Sequence, residues 1–237
     1  MLAAAVLLVG GGLLAGPAPQ ARADLAGKTI VLDAGHGASA DGPLTRQVPN
    51  GRGGTKDCQT TGTSTNDGFP EHTFTWDVVS KIRDGLAQLG ATVVLTRIDD
   101  TGPAPCVDAR AATANAVHPA AIVSIHGDGG PASGHGFHVN YSSPPLNDAQ
   151  SGGAMRLANV MRDQLAASGV AESTYLGSAG LYGRADLAGL NLAEYPAVLI
   201  ELGNMRNADD AARMTSPQGQ ADGAAAVVKG LTAYLGG

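Results

Sequence analysis

Aromatic side chains, basic clusters and long apolar runs are all scarce in this sequence. Phe, Trp and Tyr make up 4% of its 237 residues, whereas Gly supplies 34; long loops and close backbone contacts are expected. No run of Lys or Arg occurs, and the formal net charge is -6. Nucleic-acid binding needs basic surface that displaces counterions from phosphates, so that class of partner is excluded. There is no low-complexity tract, no repeat and no linker-like stretch. A chain of this length builds one domain with a proper core and only just suffices for two. A single domain and a monomer are expected.

The N-terminal apolar stretch, Leu2 to Ala15, falls short of the about 20 residues that a membrane-spanning helix needs. It contains Gly10, Gly11 and Gly12 and leads to Ala21-Arg22-Ala23, an A-x-A cleavage pattern. Residues 1–23 therefore read as a signal peptide, with the mature domain over 24–237. That places the working protein in the periplasm or cell-wall space, with no membrane span left after cleavage. No Lys or Arg precedes the apolar stretch, so an uncleaved anchor is the alternative. Only two cysteines are present. In an exported chain an even count suggests a Cys58–Cys106 disulfide, which would stabilise the fold by roughly 4 kcal/mol in the chain-entropy picture. Neither lies in a C-x-x-C pair, which disfavours zinc ligation by them.

Lys28 to Asp33 is a β-branched run ended by Ala-Gly-His-Gly and reads as a strand. Ala38 to Phe69 is rich in Gly, Thr, Ser, Asn and Pro without periodicity and reads as one long loop. From Pro70 to Leu89, Phe74, Val78, Ile82, Leu86 and Leu89 recur at helical spacing. Pro70 suits the first turn, Glu71 the positive N-terminal end, and Gly90 the C-cap. Strands are expected at Ala91 to Thr96, Ala121 to His126, Gly136 to Tyr141 and Ala197 to Glu201. Helices are expected at Val107 to Val117, Asp148 to Ser168, Asp209 to Met214 and Ala221 to Leu235. Tyr175 to Asn191 is irregular, with room for one short strand. The alternation predicts a single-domain α/β fold, a mostly parallel twisted sheet with helices on both faces.

Three apolar strands end in side chains that bind metals or transfer protons: TIVLD runs into His36, AIVSI into His126 and AVLI into Glu201. Ligands of open α/β sheets bind outside the carboxyl ends of the strands, so parallel neighbours would bring these three together. Glu71, opening a helix after a loop, can face the same edge. Two imidazoles and one carboxylate make a catalytic zinc site with one position left for water, and the second carboxylate is free for proton transfer. Spacing assigns His36, His126 and one of the two Glu residues as ligands; it does not say which Glu does which task.

At these residues the chain resembles the zinc-dependent N-acetylmuramoyl-L-alanine amidases of the type 3 group, over nearly the whole of 24–237. The motifs are Asp33-Ala34-Gly35-His36-Gly37; Glu71, opening a helix that leads into Val94-Leu95-Thr96-Arg97; Arg110 and Ala114-Asn115 leading into Ser124-Ile125-His126; and Pro196-Ala197-Val198-Leu199-Ile200-Glu201-Leu202-Gly203. The resemblance implies one Zn2+ per chain held by His36, Glu71 and His126, with Glu201 as the catalytic carboxylate. It also implies hydrolysis of the amide between N-acetylmuramic acid and L-alanine, with peptidoglycan or muropeptide fragments as substrate. The chain departs from the family pattern in His126-Gly127-Asp128, where His-Ala-Asn is usual, in Asn204 after Gly203, and in a longer gap between His36 and Glu71. The added segment carries Cys58, and a bond to Cys106 would pin it beside the helix from Val107, as a wall of the substrate groove.

Asp33 is expected either to support a ligating His or to form a turn. Asp128, Arg184 and Asn204 are candidates for substrate contact, Arg184 for substrate carboxylates and Asn204 as a groove lining. Arg97 and Arg110 are expected in structural ion pairs. His72 points about 100° around the helix from Glu71, so it should not reach a metal. His118, His135 and His138 read as surface, capping or packing residues. The alternatives are another zinc hydrolase on this scaffold, a peptidase or deacetylase, and an inactive wall-binding regulator. Such regulators typically lack a ligand or the catalytic Glu, whereas all four residues are present here.

Overall fold

Short runs of Val, Ile and Leu, bounded by Gly, Pro and polar turn residues, build the centre of the molecule. The computed structural model describes residues 25–40 and 42–236. The strands, in chain order, are β1 (Thr29–Ala34), β2 (Ser39–Ala40), β3 (Gln47–Pro49), β4 (Thr55–Asp57), β5 (Thr92–Leu95), β6 (Pro103–Ala104), β7 (Ala121–Asp128), β8 (His138–Ser142), β9 (Leu181–Arg184) and β10 (Ala197–Asn204). The helices are α1 (Glu71–Ala87), α2 (Val107–Ala116), α3 (Met155–Ala167), α4 (Ala188–Asn191), α5 (Ala208–Thr215) and α6 (Pro217–Leu235). Six strands form one sheet in the order β5-β1-β7-β10-β8-β9. The first four are mutually parallel; β8 runs antiparallel to β10, and β9 is parallel to β8. This is the mostly parallel α/β sheet expected.

Alternation along each strand sends side chains to opposite faces. Ile30 and Leu32, Val123 and Ile125, and Val198 and Ile200 point to one face. There they pack on α1, α3 and α6 through residues such as Phe74, Ile82, Leu157 and Leu231. Each such fully buried aliphatic side chain contributes roughly 1.5–3 kcal/mol. Val31, Ile122 and Ala197 point to the other face, against Ala114 of α2 and Leu190 of α4. Being covered on both sides is why these strands are almost wholly apolar. The alternation that fixes Val31 and Ile122 on this second face also puts Asp33, Ser124 and His126 there, nearer the carboxyl ends.

The expected loop from Ala38 to Phe69 contains structure too short for periodicity to reveal. β2 pairs in parallel with β6, and β3 with β4 as an antiparallel hairpin. Cys58 and Cys106 form a disulfide, and the Val107 N–H donates to Cys58 O at 2.9 Å, so the segment is pinned to the start of α2. Its hairpin reaches across the sheet: the Arg52 guanidinium donates to Asn191 Oδ1, Ser142 Oγ and Pro144 O.

Two helix starts differ most from expectation. Ala149–Ala154 is a wider π turn before α3; Gly152 and Gly153 are weak helix formers, and a Cβ on Gly153 would lie 2.5 Å from Pro196 Cγ. α6 begins at Pro217, not at Ala221, because Ser216 Oγ accepts from the Gly219 N–H and Pro occupies the first turn. Tyr175 to Asn191 holds both β9 and the short α4. No helix among the described residues is long and apolar enough to cross a membrane. The expected signal peptide, 1–23, lies outside the described residues.

Candidate active site

The carboxyl ends of β1, β7 and β10 lie side by side, and this brings distant residues together. Gly35 continues β1, donating its N–H to Ile125 O at 3.0 Å. A Cβ on Gly35 would lie 2.4 Å from His126 Cε1; only glycine lets the His126 ring lie over the strand end. His36 follows with φ 60°, a left-handed turn that swings its ring back over the edge. Glu71, 4% exposed, opens α1. Its Oε1 lies 3.1 Å from His36 Nε2 and 2.9 Å from His126 Nδ1. The donor atoms of His36, Glu71 and His126 all lie within 4.8 Å of one another, and the two rings meet edge to face at 4.8 Å.

Backbone groups hold these donors. The Gly127 N–H donates to Glu71 Oε1 at 3.1 Å and the Thr63 N–H to Oε2 at 2.8 Å. His36 Nδ1 lies 2.9 Å from Thr60 O. A carbonyl only accepts, so Nδ1 carries a proton, and Nε2 is the nitrogen left free to bind a metal or, without one, to take a proton and donate to Glu71. Burial opposes ionisation of both groups, yet the His36–Glu71 attraction and the hydrogen bonds outweigh it. His36 is raised above its ordinary value and Glu71 held well below the carboxylate range, through His126 and His36. Two imidazole nitrogens and an ionised oxygen, gathered round one point, fit the ligand chemistry of zinc. Gly62 is a residue that the sequence reading missed. It has φ +79°, and a Cβ there would lie 2.8 Å from Glu71 Oε2 and 2.9 Å from His36 Cγ. If the cluster holds a zinc ion, Gly62→Ala is expected to weaken its binding about 10- to 100-fold, measured by competition with a fluorescent chelator, with the far-UV spectrum unchanged.

Glu201 lies directly opposite His126 in the β7–β10 register. Its Oε2 is buried with no hydrogen-bond partner among the described residues. Burial, then the negative charges of Glu71 and Asp128, raise its proton affinity well above an ordinary carboxylate; Arg184 opposes this. A carboxyl poised in this way suits proton transfer.

Asp33 does not support a ligating histidine ring. It accepts from Ser124 Oγ at 2.5 Å, from Thr96 Oγ1, and from Arg110 at 2.8 Å. Burial alone would raise its pKa; Arg110 and the two hydroxyls more than offset this and hold it ionised. Arg110 also donates to Ala34 O at 2.7 Å and His36 O at 2.5 Å, so the ion pair fixes the backbone of the His36 turn from below. Arg97 pairs with Asp100 at 2.9 Å and donates to Ala34 O. Both arginines are in the structural pairs expected.

Asn204 is not a groove lining. It is fully buried, donates to Pro131 O and Gly134 O, and accepts from the Gly130 and Arg206 N–H groups, clamping the 130–134 turn. Arg184 is engaged by Asp186 through two contacts of 2.7 and 2.6 Å. Asp128 Oδ2 accepts from Tyr175 OH at 2.9 Å. His72 pairs with Asp100 at 2.8 Å, and His118 with Tyr195 OH; neither joins the cluster. His138, expected at the surface or in packing, is 1% exposed.

Two concavities flank the cluster. One, of about 190 Å³, runs under His36 and His126 between the sheet and α2, walled by Lys56 and Gln59 of the pinned segment. The other, of about 570 Å³, is lined by residues 60–64, Gly129 and Arg206. The pinned segment thus contributes wall to both.

Two imidazoles and two carboxylates gathered at the carboxyl edge of an α/β sheet make a site equipped for metal-assisted hydrolysis. The family described as N-acetylmuramoyl-L-alanine amidase matches residues 30–233. An N-acetylmuramoyl-L-alanine amidase of Mycobacterium tuberculosis is 55% identical over 213 residues, 90% of this chain and 88% of that protein. The chain accordingly belongs to the N-acetylmuramoyl-L-alanine amidase family, hydrolases of peptidoglycan. Crystal structures agree: the N-acetylmuramyl-L-alanine amidase of Mycobacterium smegmatis superposes with TM-score 0.88 at 55% identity, covering 90% of this chain and 99% of that one. That of Mycobacterium abscessus, in its apo form, gives 0.87 at 58%, covering 89% and 99%.

Proposed function

We propose that the chain uses one zinc ion, held by His36, Glu71 and His126, and the carboxylate of Glu201 to hydrolyse the amide joining the lactyl group of N-acetylmuramic acid to L-alanine. The observation that carries this is the convergence of three donor atoms within 4.8 Å, with Glu201 adjacent to His126 across the strand pair. Zinc, when bound, supplies a Lewis acid that polarises the scissile carbonyl and acidifies water. The chain's own residues do the rest. Glu201 takes the proton of the attacking water and returns it to the leaving amine of L-alanine; its raised proton affinity suits the second half of that task. Asp33 and Arg110 keep the His36 turn in place, and the concavities on either side of the cluster take the flanking parts of the substrate. Export through residues 1–23 is part of the same proposal. It is supported by the apolar stretch before Ala21-Arg22-Ala23, by the disulfide, which persists in oxidising compartments, and by a substrate that lies outside the cytoplasm.

The test is incubation of the zinc-loaded protein with muramyl dipeptide, followed by mass spectrometry. N-acetylmuramic acid and a dipeptide with a free L-alanine amino terminus are expected. Loss of acetate alone, or cleavage within the peptide, would point to a deacetylase or a peptidase instead.

A further inference from the structure

Across the sheet, Glu201 has an imidazole on each side. In the β7–β10 register its neighbour is His126, and in the β10–β8 register its neighbour is His138. Directly opposite residues of adjacent strands share a face, with Cβ atoms about 4.5–5.5 Å apart. Ile200 and Val139, one position back, both lie in the core on the other side, so Glu201 and His138 face the site together. The mechanism above uses His126 and has no task for His138.

His138 is not ordinary packing. It is 1% exposed, yet its Nδ1 has no hydrogen-bond partner among the described residues. Glu201 Oε2, on the facing strand, is likewise buried and without one. An unmatched buried polar atom is costly, and here two stand on neighbouring residues of one face, one able to donate and the other to accept. The ring is wedged between Tyr175 at 6.3 Å and Tyr182 at 6.0 Å, edge to face with both. Tyr175 is itself tied to Asp128, so the imidazole is held from two sides. Burial lowers its pKa to about 4. It stays neutral in the working range, with one N–H to give. Catalytic hydrogen bonds are often open in an unliganded site and tighten on substrate.

We propose that His138 is the positioning residue of Glu201, its Nδ1–H donating to Glu201 Oε2 when substrate fills the site. Held from the side away from His126, the carboxylate keeps Oε1 turned to the attacking water and the leaving amine. His138 touches neither substrate nor metal in this role. The inference rests on the reading of Glu201 as the proton-transfer group.

The test compares His138→Leu, which cannot donate, with His138→Gln, which retains an N–H donor, on a soluble muropeptide. His138→Leu is expected to lower kcat roughly 10- to 100-fold, the effect of one hydrogen bond to a charged group, with KM and zinc content unchanged. His138→Gln should recover most of that loss. In a Glu201→Gln background, His138→Leu should cause no further fall. Wild-type kcat in His138→Leu, equal losses in Leu and Gln, or an additive loss in the Glu201→Gln background would each overturn the proposal. If Leu is not accommodated, His138→Met is judged by the same criteria. Full activity of Glu201→Gln alone would remove the underlying reading of Glu201 instead, so the two failures are distinct.

Discussion

Glu201→Gln is expected to lower kcat on a soluble muropeptide by about 10²- to 10⁴-fold, the usual contribution of a positioned acid–base group. KM and zinc content should stay as in the wild type. The amide keeps the shape of the side chain but neither takes nor returns a proton. The same substitution should make the metal-free protein more stable, because Glu201 Oε2 is buried without a partner and burial, Glu71 and Asp128 raise the proton affinity of this carboxyl. The sign follows from linkage. A carboxyl whose folded pKa lies above its unfolded value of 4.5 contributes fully below that value. Its contribution is lost as pH rises through the folded pKa, where the fold must hold an unwanted charge. Gln never acquires that charge. The Tm of the variant minus that of the wild type should therefore grow as pH rises from mildly acidic to neutral. It should reach about 2–4 °C, the shift that about 1 kcal/mol makes in a domain of this size. Thermal unfolding at several pH values, with chelator present, measures it. A difference that shrinks with pH would show that Glu201 is comfortable as an anion, contrary to its unpartnered Oε2.

His126→Ala has the other large effect. With the imidazole gone, Glu71 keeps only His36 and two backbone N–H groups, and a three-ligand site becomes a two-ligand one. Zinc after dialysis should fall from about one ion per chain to near zero, and amide cleavage to background. This differs from Glu201→Gln, which should bind zinc as the wild type does and still fail to turn over. Metal content measured on both variants separates a ligand from a proton carrier. Zinc retained at full stoichiometry by His126→Ala would remove His126 from the ligand set.

The sheet and its active edge were legible because their signal is local. β1, β7 and β10 are short β-branched runs that stop at His36, His126 and Glu201, and parallel strands put such stops on one edge. Glu71 was legible as an N-terminal helix residue, but spacing alone left it interchangeable with Glu201. The distinction is burial among the backbone donors of Gly127 and Thr63, which no periodicity records. The β3–β4 hairpin escaped because a three-residue strand has no period. Asn204 read as a groove residue because a polar side chain after a strand end looks exposed; its burial depends on the 130–134 turn folding back over it. Asp33 was a candidate partner for a histidine, but Arg110, Ser124 and Thr96 reach it first. The row His126–Glu201–His138 is a matter of register, and register is set by the packed sheet rather than by any one strand.

The most direct test of the account is a crystal of the zinc-loaded protein measured on both sides of the zinc absorption edge. One anomalous peak is expected, about 2.0–2.2 Å from His36 Nε2, His126 Nδ1 and a carboxylate oxygen of Glu71, with Glu201 outside bonding distance. A peak elsewhere, or one bonded to Glu201 in place of Glu71, would contradict it.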